Sequence, residues 1–326
     1  MYIFYISVVL SSFILTLLVR RLALKKQIMD IPNERSSHTI PTPRGGGLAV
    51  VIVWYLALSC EFFFNALEPA LYYMLLSGLI LVVVGLADDI YSLPAGIRMV
   101  SQALAAGLAL YFSGGLTQLD FGFFSFENSY ILTALAFVGI IWFINLFNFL
   151  DGIDGYISVE AIFIFLVLFF VFDDNTALIF ALAVLGFLFL NWQPAKIFMG
   201  DVGSTLIGFN VAVFAIYYQN TADFSLISLL ILSSLFWFDA TFTLFRRFRN
   251  KEKLTRAHKK HAYQRMVASG FSHQKTVFLA LIFNVGHLAL FLTAYTFEKY
   301  LLLFFLLSIG ISYLFTKFAD RRKSFE

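Results

Sequence analysis

Charged residues are scarce in this 326-residue chain: Asp, Glu, Lys and Arg make up only 13% of it, whereas soluble domains carry about 25%. The single cysteine, Cys60, excludes a disulfide scaffold. Six Pro and 20 Gly are too few for a collagen-like or low-complexity chain. The net charge of +3 gives no sign of a nucleic-acid partner, and we expect none.

Apolar residues occupy most of the sequence instead. Hydrophobic residues make up 60% of the chain and aromatic residues 18%, with 41 Phe, and the mean hydropathy is +0.84. This composition excludes intrinsic disorder and argues against an ordinary water-soluble enzyme. It predicts a polytopic membrane protein in contact with a lipid bilayer.

Eleven apolar runs are long enough to be membrane-spanning helices, which need about 20 residues each. Runs such as 79–84 and 161–172 show no alternation, which argues against a β-barrel. Because backbone groups in lipid must be paired within their own segment, we predict an all-α fold. The predicted spans are 2–19, 46–64, 70–87, 98–113, 129–147, 156–172, 176–192, 205–219, 224–245, 275–295 and 298–317.

The basic residues predict the orientation of these spans. If eleven spans alternate, 22 of the 23 Lys and Arg residues fall on one side, and only Lys299 falls on the other. Positive charge marks the cytoplasmic side, so we expect a periplasmic N-terminus and a cytoplasmic C-terminus. No basic residue precedes the first span, which argues against a cleavable signal peptide.

We therefore predict a single integral-membrane domain over residues 1–326. Its cytoplasmic loops are expected near 20–45, 88–98, 145–155, 192–204 and 246–274.

Three polar motifs fall on the predicted cytoplasmic side, although Lys and Arg alone set the topology. They are the Asp88-Asp89 pair, residues 145–155 and residues 191–204. Each motif alone could be a solvated helix end, a turn or a helix cap. Together they favour a functional site, because Mg²⁺ binds one or two carboxylates together with substrate phosphates. The motifs thus predict metal-assisted phosphoryl chemistry at one membrane face.

The loop 246–274 is strongly basic and also contains two histidines. His258, His261 and Arg265 are spaced so that on a helix they would share one face, which suits a diphosphate. A basic belt attracted to anionic lipid is the alternative, and a zinc site is a weaker one. Other polar residues inside spans have two interpretations. Asp239 is either functional or paired with a nearby Arg, and for Asn284 and His287 we favour hydrogen bonds between helices.

Together these motifs resemble one family, the polyprenyl-phosphate N-acetylhexosamine-1-phosphate transferases of glycosyltransferase family 4. The first loop, with Arg-Ser-Ser-His at 35–38 and Pro-Thr-Pro-Arg-Gly-Gly-Gly at 41–47, is most similar to the O-antigen-initiating branch. The peptidoglycan enzyme would show three consecutive His in the last loop, where this chain has His258-Lys-Lys-His261.

The resemblance implies a protein of the bacterial inner membrane, a reaction and its catalytic groups. Undecaprenyl phosphate would attack the β-phosphorus of a UDP-N-acetylhexosamine and release UMP, which initiates O-antigen synthesis. Asp201 and Asn148 would hold Mg²⁺, with Mn²⁺ as the alternative ion. Asp88 would deprotonate or orient the lipid phosphate, Asp89 would support the metal-phosphate region, and Asp151 is the second-ranked catalytic acid.

The resemblance also implies a set of substrate-binding residues. Gly152, Ile153 and Asp154 would lie at the uracil, Phe198 would stack on it, and Asn191 would hold the nucleoside. A further group would neutralise the diphosphate or contact the sugar, namely His258, His261 and Arg265.

Several alternatives stay open on the sequence alone. An Asp nucleophile could give a two-step reaction through a covalent intermediate. A transporter or flippase for a lipid-linked or anionic solute is the rival function, although the chain shows no repeated halves. The signature of CDP-alcohol phosphotransferases is absent. The sequence leaves open which N-acetylhexosamine is transferred, and whether the protein forms a homodimer.

Overall fold

The computed structural model describes residues 2–32, 37–64, 67–222, 224–254 and 258–325. In this part the chain forms α-helices, one 3-10 helix (Glu298–Tyr300) and two small antiparallel sheets, β1 (Met29–Asp30) with β2 (Thr42–Pro43) and β3 (Gln118–Asp120) with β4 (Ser125–Glu127). The helices are α1 (Tyr2–Lys26), α2 (Gly47–Phe64), α3 (Pro69–Leu76), α4 (Leu79–Tyr91), α5 (Ala95–Ser113), α6 (Ser129–Leu150), α7 (Tyr156–Phe172), α8 (Asn175–Asn191), α9 (Asp201–Thr221), α10 (Leu226–Leu232), α11 (Ser234–Arg249), α12 (Ala262–Ala268), α13 (His273–Thr296) and α14 (Leu301–Arg322).

All eleven predicted spans fall on these helices. Among the described residues, eight helices are long and apolar enough to cross a membrane, with α3 and α4 counted together as Pro69–Tyr91. The helices α10 and α11 meet at an 82° bend and would make a ninth span. The two apolar helices α7 and α8 have 17 residues each. The protein is thus an all-α polytopic membrane protein, while eleven spans and their orientation stay predictions.

Short polar side chains mark where several helices begin. Asn128 accepts a hydrogen bond from the backbone N–H of Ile131 at the start of α6, and Asp174 accepts one from Thr176 at the start of α8. These side chains satisfy donors that have no partner within the helix. They delimit the spans more sharply than hydropathy alone can.

Helix α9 lies at the centre of the bundle and packs on α2, α4 and α6. In its most apolar stretch 89% of the residues are buried, against at most 50% in the other long helices of the described chain. Its first turn crosses α2 so closely that a Cβ added to Gly47 would lie 2.5 Å from the Cα of Gly203. Small residues permit such close approach of helices in membranes, and here they bring the start of α9 against the start of α2.

Polar side chains also join helices inside the bundle. Asn284 on α13 donates to the carboxyl group of Glu160 on α7, and the His287 ring bonds with Ser312 on α14 at 3.1 Å. The prediction that Asn284 and His287 make hydrogen bonds between helices is therefore confirmed.

Candidate functional site

A polar cavity of about 280 Å³ lies where α6, α8 and α9 meet their connecting loops. Eight of the thirteen predicted site residues line it, namely Asn148, Asp151, Gly152, Ile153, Asp154, Asn191, Phe198 and Asp201. These residues come from two of the predicted motifs, 145–155 and 191–204, which the fold brings together at one cavity.

A second cavity of about 110 Å³ lies beside the first, between α4, α5, α6 and the first residues of α9. Asp88, Arg98 and Gln102 supply its polar lining, whereas residues such as Leu81 and Met99 make part of it apolar. The two cavities share part of their lining, because Asn148 and Asp201 belong to both. A group held by these two side chains would be reached from either cavity.

Asp201 is the first residue of α9, and two arginines bind its carboxylate. The Arg44 guanidinium lies 2.8 Å from Oδ1, and the Arg98 guanidinium lies 3.6 Å from Oδ2. Arg44 also binds Asp89 at 2.8 Å, and Arg98 binds Asp88 at 3.2 Å. The two arginines thus compensate the negative charge of the clustered acids, since an opposite charge at this distance stabilises a carboxylate.

Asp89 has a different surrounding from the other acids. Its carboxylate accepts hydrogen bonds from the backbone N–H groups of Asp201 (2.9 Å) and Val202 (3.3 Å). With its ion pair to Arg44, it caps α9 from a neighbouring helix, where a negative charge is favourable. Among the described residues, Asp89 belongs to the lining of neither cavity. It supports the site by holding the helix end that carries Asp201.

The loops on either side of the first cavity are tied together by Asn191. Its Oδ1 accepts from the backbone N–H of Gly155 (3.1 Å) and from the Ser158 hydroxyl (3.2 Å), while its Nδ2 donates to the Ile197 carbonyl (3.1 Å). Asn191 is 3% exposed, so most of its polar capacity serves the protein itself. Its main contribution is to hold the loops on the two sides of the cavity in fixed positions.

Asp154 lies between a backbone donor and a histidine that sequence reasoning missed. Its Oδ2 accepts from the N–H of Ala195 (3.0 Å), and its Oδ1 lies 3.2 Å from Nδ1 of His273. His273 is the first residue of α13 and lines the first cavity. No motif in the sequence links it to Asp154, because a lone His at a helix start has no distinctive spacing.

Asp151 follows the last residue of α6 and lines the first cavity. Burial is the main cause that raises the pKa of its carboxyl group from 3.8 to about 8, and the negative charge of Asp201 adds to it. A carboxyl group with this pKa changes protonation near neutral pH, as the groups of catalytic sites often do.

The predicted diphosphate-binding trio lies apart from both cavities. The prediction of one shared helical face is wrong, because α12 begins at Ala262, so that His258 and His261 precede its first turn. Their rings lie 4.9 Å apart, and burial followed by the charge of His261 lowers the pKa of His258 to about 3. Arg265 is 2% exposed and bonds to Asp320 and to the Lys260 carbonyl.

Gln264, which lies between His261 and Arg265 in the sequence, does line the first cavity. Asp239 holds the start of this segment, since both of its oxygens accept from the N–H of Ala262 at 2.9 and 3.0 Å. Of the two interpretations of Asp239, a pairing with a nearby Arg does not involve Arg246, which binds Asp320 instead, at 2.9 Å. The predicted loop residues Arg35 and Arg256 lie outside the described residues.

The site residues fit a hard divalent cation. Within residues 2–32, 37–64, 67–222, 224–254 and 258–325, no cluster of three His, Cys, Asp or Glu side chains is arranged for a metal. Mg²⁺, however, needs only one or two protein oxygens and takes the rest from phosphates and water. Asn148 donates its amide N–H to Ser204 at 3.0 Å, which leaves its carbonyl oxygen for a cation beside Asp201.

Comparison with known proteins agrees with this geometry. The family described as Glycosyl transferase family 4 matches residues 71–219, which include Asp88, Asp151 and Asp201. A "Probable undecaprenyl-phosphate N-acetylglucosaminyl 1-phosphate transferase" of Bacillus subtilis (strain 168) is 30% identical over 88% of this chain and 84% of its own length.

Two further relatives come from other bacteria. A "Decaprenyl-phosphate N-acetylglucosaminephosphotransferase" of Mycobacterium leprae (strain TN) is 30% identical over 84% of this chain and 78% of its own. An "Undecaprenyl-phosphate alpha-N-acetylglucosaminyl 1-phosphate transferase" of Escherichia coli O157:H7 is 29% identical over 87% and 82%. With its acids gathered around two adjoining cavities, the chain belongs to glycosyl transferase family 4, among the polyprenyl-phosphate N-acetylhexosamine-1-phosphate transferases.

Proposed function

We propose that the protein transfers N-acetylhexosamine-1-phosphate from a UDP-N-acetylhexosamine to undecaprenyl phosphate and releases UMP. The observation that carries this proposal is the wall of Asn148 and Asp201 shared by the two cavities. The larger, polar cavity suits a nucleotide sugar, and the smaller, partly apolar one suits the phosphate end of a lipid. The names of the relatives describe the same kind of transfer.

In this reaction an oxygen of the acceptor phosphate forms a bond to the β-phosphorus of the donor. The bond from that phosphorus to the UMP oxygen breaks, and UMP leaves with both electrons. Asp88 and Arg98 line the acceptor cavity, where they would orient the incoming phosphate. Precise placement of the two phosphates supplies most of the catalysis in such transfers.

Mg²⁺, or Mn²⁺ as the alternative, is the proposed cofactor, held by Asp201 and Asn148. When bound, it would neutralise the developing charge on the phosphate oxygens. Arg44 and Arg98, which already approach Asp201, would share that task through charge-assisted hydrogen bonds.

Donor recognition is proposed for the other end of the first cavity. Gly152, Ile153 and Asp154 would face the uracil, and Phe198 would stack on it, all four being part of the lining. The His38 ring packs edge-on against Phe198 at 4.9 Å, which would hold the Phe198 ring in place for stacking.

The proposed setting is the cytoplasmic face of a bacterial inner membrane, and the proposed pathway is the initiation of O-antigen. The placement rests on the 22 of 23 Lys and Arg residues that would fall on one side. The pathway rests on the similarity of the first loop to the O-antigen-initiating branch.

The direct test is UMP release by the purified protein with undecaprenyl phosphate, Mg²⁺ and each of three donors, the UDP derivatives of N-acetylglucosamine, N-acetylfucosamine and N-acetylquinovosamine. We expect release with at least one donor, and none without Mg²⁺ or Mn²⁺. Absence of release from every donor would contradict the proposal and favour the transporter.

The metal assignment has its own test, the Asp201→Asn variant. We expect its rate to fall by about 100-fold or more, because even outer partners of a metal ligand are worth about 10–100-fold. The exposed Glu127→Gln on β4 serves as the control and should keep the wild-type rate. A near wild-type rate for Asp201→Asn would contradict the assignment.

A third experiment separates direct attack from a covalent intermediate. Labelled UMP is incubated with the protein and the UDP-sugar in the absence of lipid acceptor. Direct attack predicts no label in the UDP-sugar, whereas an aspartyl intermediate predicts exchange.

A further inference from the structure

The segment that follows α14 folds back against the rest of the protein. Phe325 is only 6% exposed, and three cations lie over its ring. The distances to the ring centroid are 3.8 Å for Arg246, 5.0 Å for Lys260 and 5.6 Å for Arg265. A cation over an aromatic face is attracted to it, more strongly when both are shielded from water.

A carboxylate next to this ring binds two of the same cations. Asp320, on the last turn of α14, accepts hydrogen bonds from Arg246 and Arg265. Arg265 also donates to the backbone carbonyl of Lys323 at 3.1 Å. We call Asp320, Lys323 and Phe325 the latch, because together they join the ends of α11 and α14 to α12.

The helix held by the latch reaches the first cavity. The Tyr263 hydroxyl donates to the Phe149 carbonyl at 3.1 Å, and a Cβ added to Gly152 would collide with the same hydroxyl. The next residue, Gln264, lines the cavity. A helix of seven residues is not stable alone, so its position depends on the contacts at its two sides.

We propose that the latch positions α12 against the donor cavity, so that Phe325 is a positioning residue for nucleotide-sugar binding. The ring and the carboxylate hold Arg265, which holds α12, and α12 sets the cavity wall at Gly152 and Gln264. This inference rests on the proposed function, because it assumes that the first cavity takes a uridine nucleotide. The acceptor cavity is built from α4, α5, α6 and the start of α9, and no latch residue is part of its lining in the described chain. Helix α12 touches this cavity through the backbone carbonyl of Phe149, whereas it supplies the side chain of Gln264 to the donor cavity.

The test compares Phe325→Ala with wild type in steady-state kinetics and in equilibrium binding of UMP. We expect the KM for the UDP-sugar to rise about five- to tenfold and UMP affinity to fall by the same factor. The acceptor KM should rise less than the donor KM, because α12 touches the acceptor cavity through a backbone carbonyl, and kcat should stay within about twofold. Ser324→Ala, the exposed neighbour, is the matched control and should behave as wild type.

A milder variant covers the case in which Phe325→Ala does not fold. Phe325→Leu keeps an apolar side chain but removes the ring, and we expect a two- to threefold rise in the KM for the UDP-sugar. Phe325→Trp, which keeps an aromatic face, should restore donor binding.

Two results would overturn the proposed role of the latch. One is a donor KM and UMP affinity within twofold of wild type in folded Phe325→Ala. The other is an equal rise of donor and acceptor KM with a lower melting temperature, which would indicate general loosening. If wild type neither binds UMP nor releases it, the proposed function fails, and the latch fails with it.

Discussion

At the scale of single residues, the acids of the site differ in what surrounds them. Asp201 faces both cavities with an arginine near each oxygen, whereas Asp89 is occupied by the end of α9 and by Arg44. Asp151 lies in the cavity with a raised pKa. Similar side chains therefore have different tasks, which follow from hydrogen bonding and burial.

Asp151 gives a prediction about pH and stability. Its pKa is about 8 in the folded protein and near 3.8 in the unfolded chain. Below about pH 4 the group is protonated in both states and has no effect on the free energy of unfolding. Between about pH 4 and 8 it ionises only in the unfolded chain, which favours unfolding. Asp151→Asn removes this penalty, so we expect the variant to melt higher than wild type.

The measurement is thermal unfolding in chelator-treated detergent solution at about pH 5 and about pH 8. The gain in melting temperature should be larger at the higher pH, while UMP release falls. Such a gain in stability with a loss of activity is typical of functional sites. An equal gain at both pH values would contradict the raised pKa.

The contacts between site residues from remote parts of the chain could not be predicted from the sequence. Arg44 and Asp201 are 157 positions apart, and Asp154 and His273 are 119 apart. A single sequence gives local spacing but no distance between remote segments, so Arg44, Arg98 and His273 were not assigned to the site. The acids themselves were found because charged residues are rare in this chain and fall at the ends of apolar runs.

At the scale of elements, the start of α9 depends on a glycine in a backbone conformation that other residues rarely adopt. Gly200 has φ +78°, and a Cβ there would lie 2.5 Å from the Asp89 carboxylate that caps the helix. We expect Gly200→Ala to lower stability and to reduce UMP release strongly, because both the backbone and the cap are disturbed.

Gly114 is the matched control for this substitution. Its φ is +74°, but a Cβ there would meet nothing within 4 Å. Gly114→Ala should therefore show only the backbone cost of a left-handed alanine, about 1–2 kcal/mol, with little effect on turnover. Similar losses of turnover in both variants, measured as UMP release per folded protein, would argue against the cap.

The contact between α12 and the cavity loop can be tested by a double mutant. A Cβ on Gly152 would collide first with the Tyr263 hydroxyl. We expect Gly152→Ala to raise the donor KM, and Tyr263→Phe to relieve part of the loss when the two are combined. Non-additive effects of this kind report direct contact. Strictly additive effects on the donor KM would contradict the contact.

Hydropathy predicted the helices well but not the way they are interrupted. Every apolar run became helical, because a chain in lipid has to pair its own backbone. The break between α3 and α4 and the 82° bend between α10 and α11 were not foreseen. The first break lies at Ser77-Gly78, where a Cβ on Gly78 would collide with side chains of α2 and α9. The second lies at Ser233-Ser234, whose hydroxyls donate to backbone carbonyls of α10. Neither break has a proline to indicate it.

At the scale of the whole molecule, the predicted topology separates two loops that can be compared directly. Lys299 is the one basic residue expected on the outer side, whereas Lys253 lies in the basic loop expected inside. In a chain with Cys60 replaced by Ser, we expect Lys299→Cys to react with an impermeant maleimide in intact cells. Lys253→Cys should react only after the membrane is opened. Labelling of both positions in intact cells would contradict the orientation.

The burial of α9 has a consequence for how the protein responds to its lipid. Its neighbours surround it almost completely, so the segment bearing Asp201 has little contact with acyl chains. Changes in bilayer thickness act on the outer helices by tilting them, and the surrounding helices would absorb that tilt before it reaches the centre. The donor side of the reaction should therefore tolerate membranes of different thickness, and adaptation to a particular lipid should be concentrated in the outer helices.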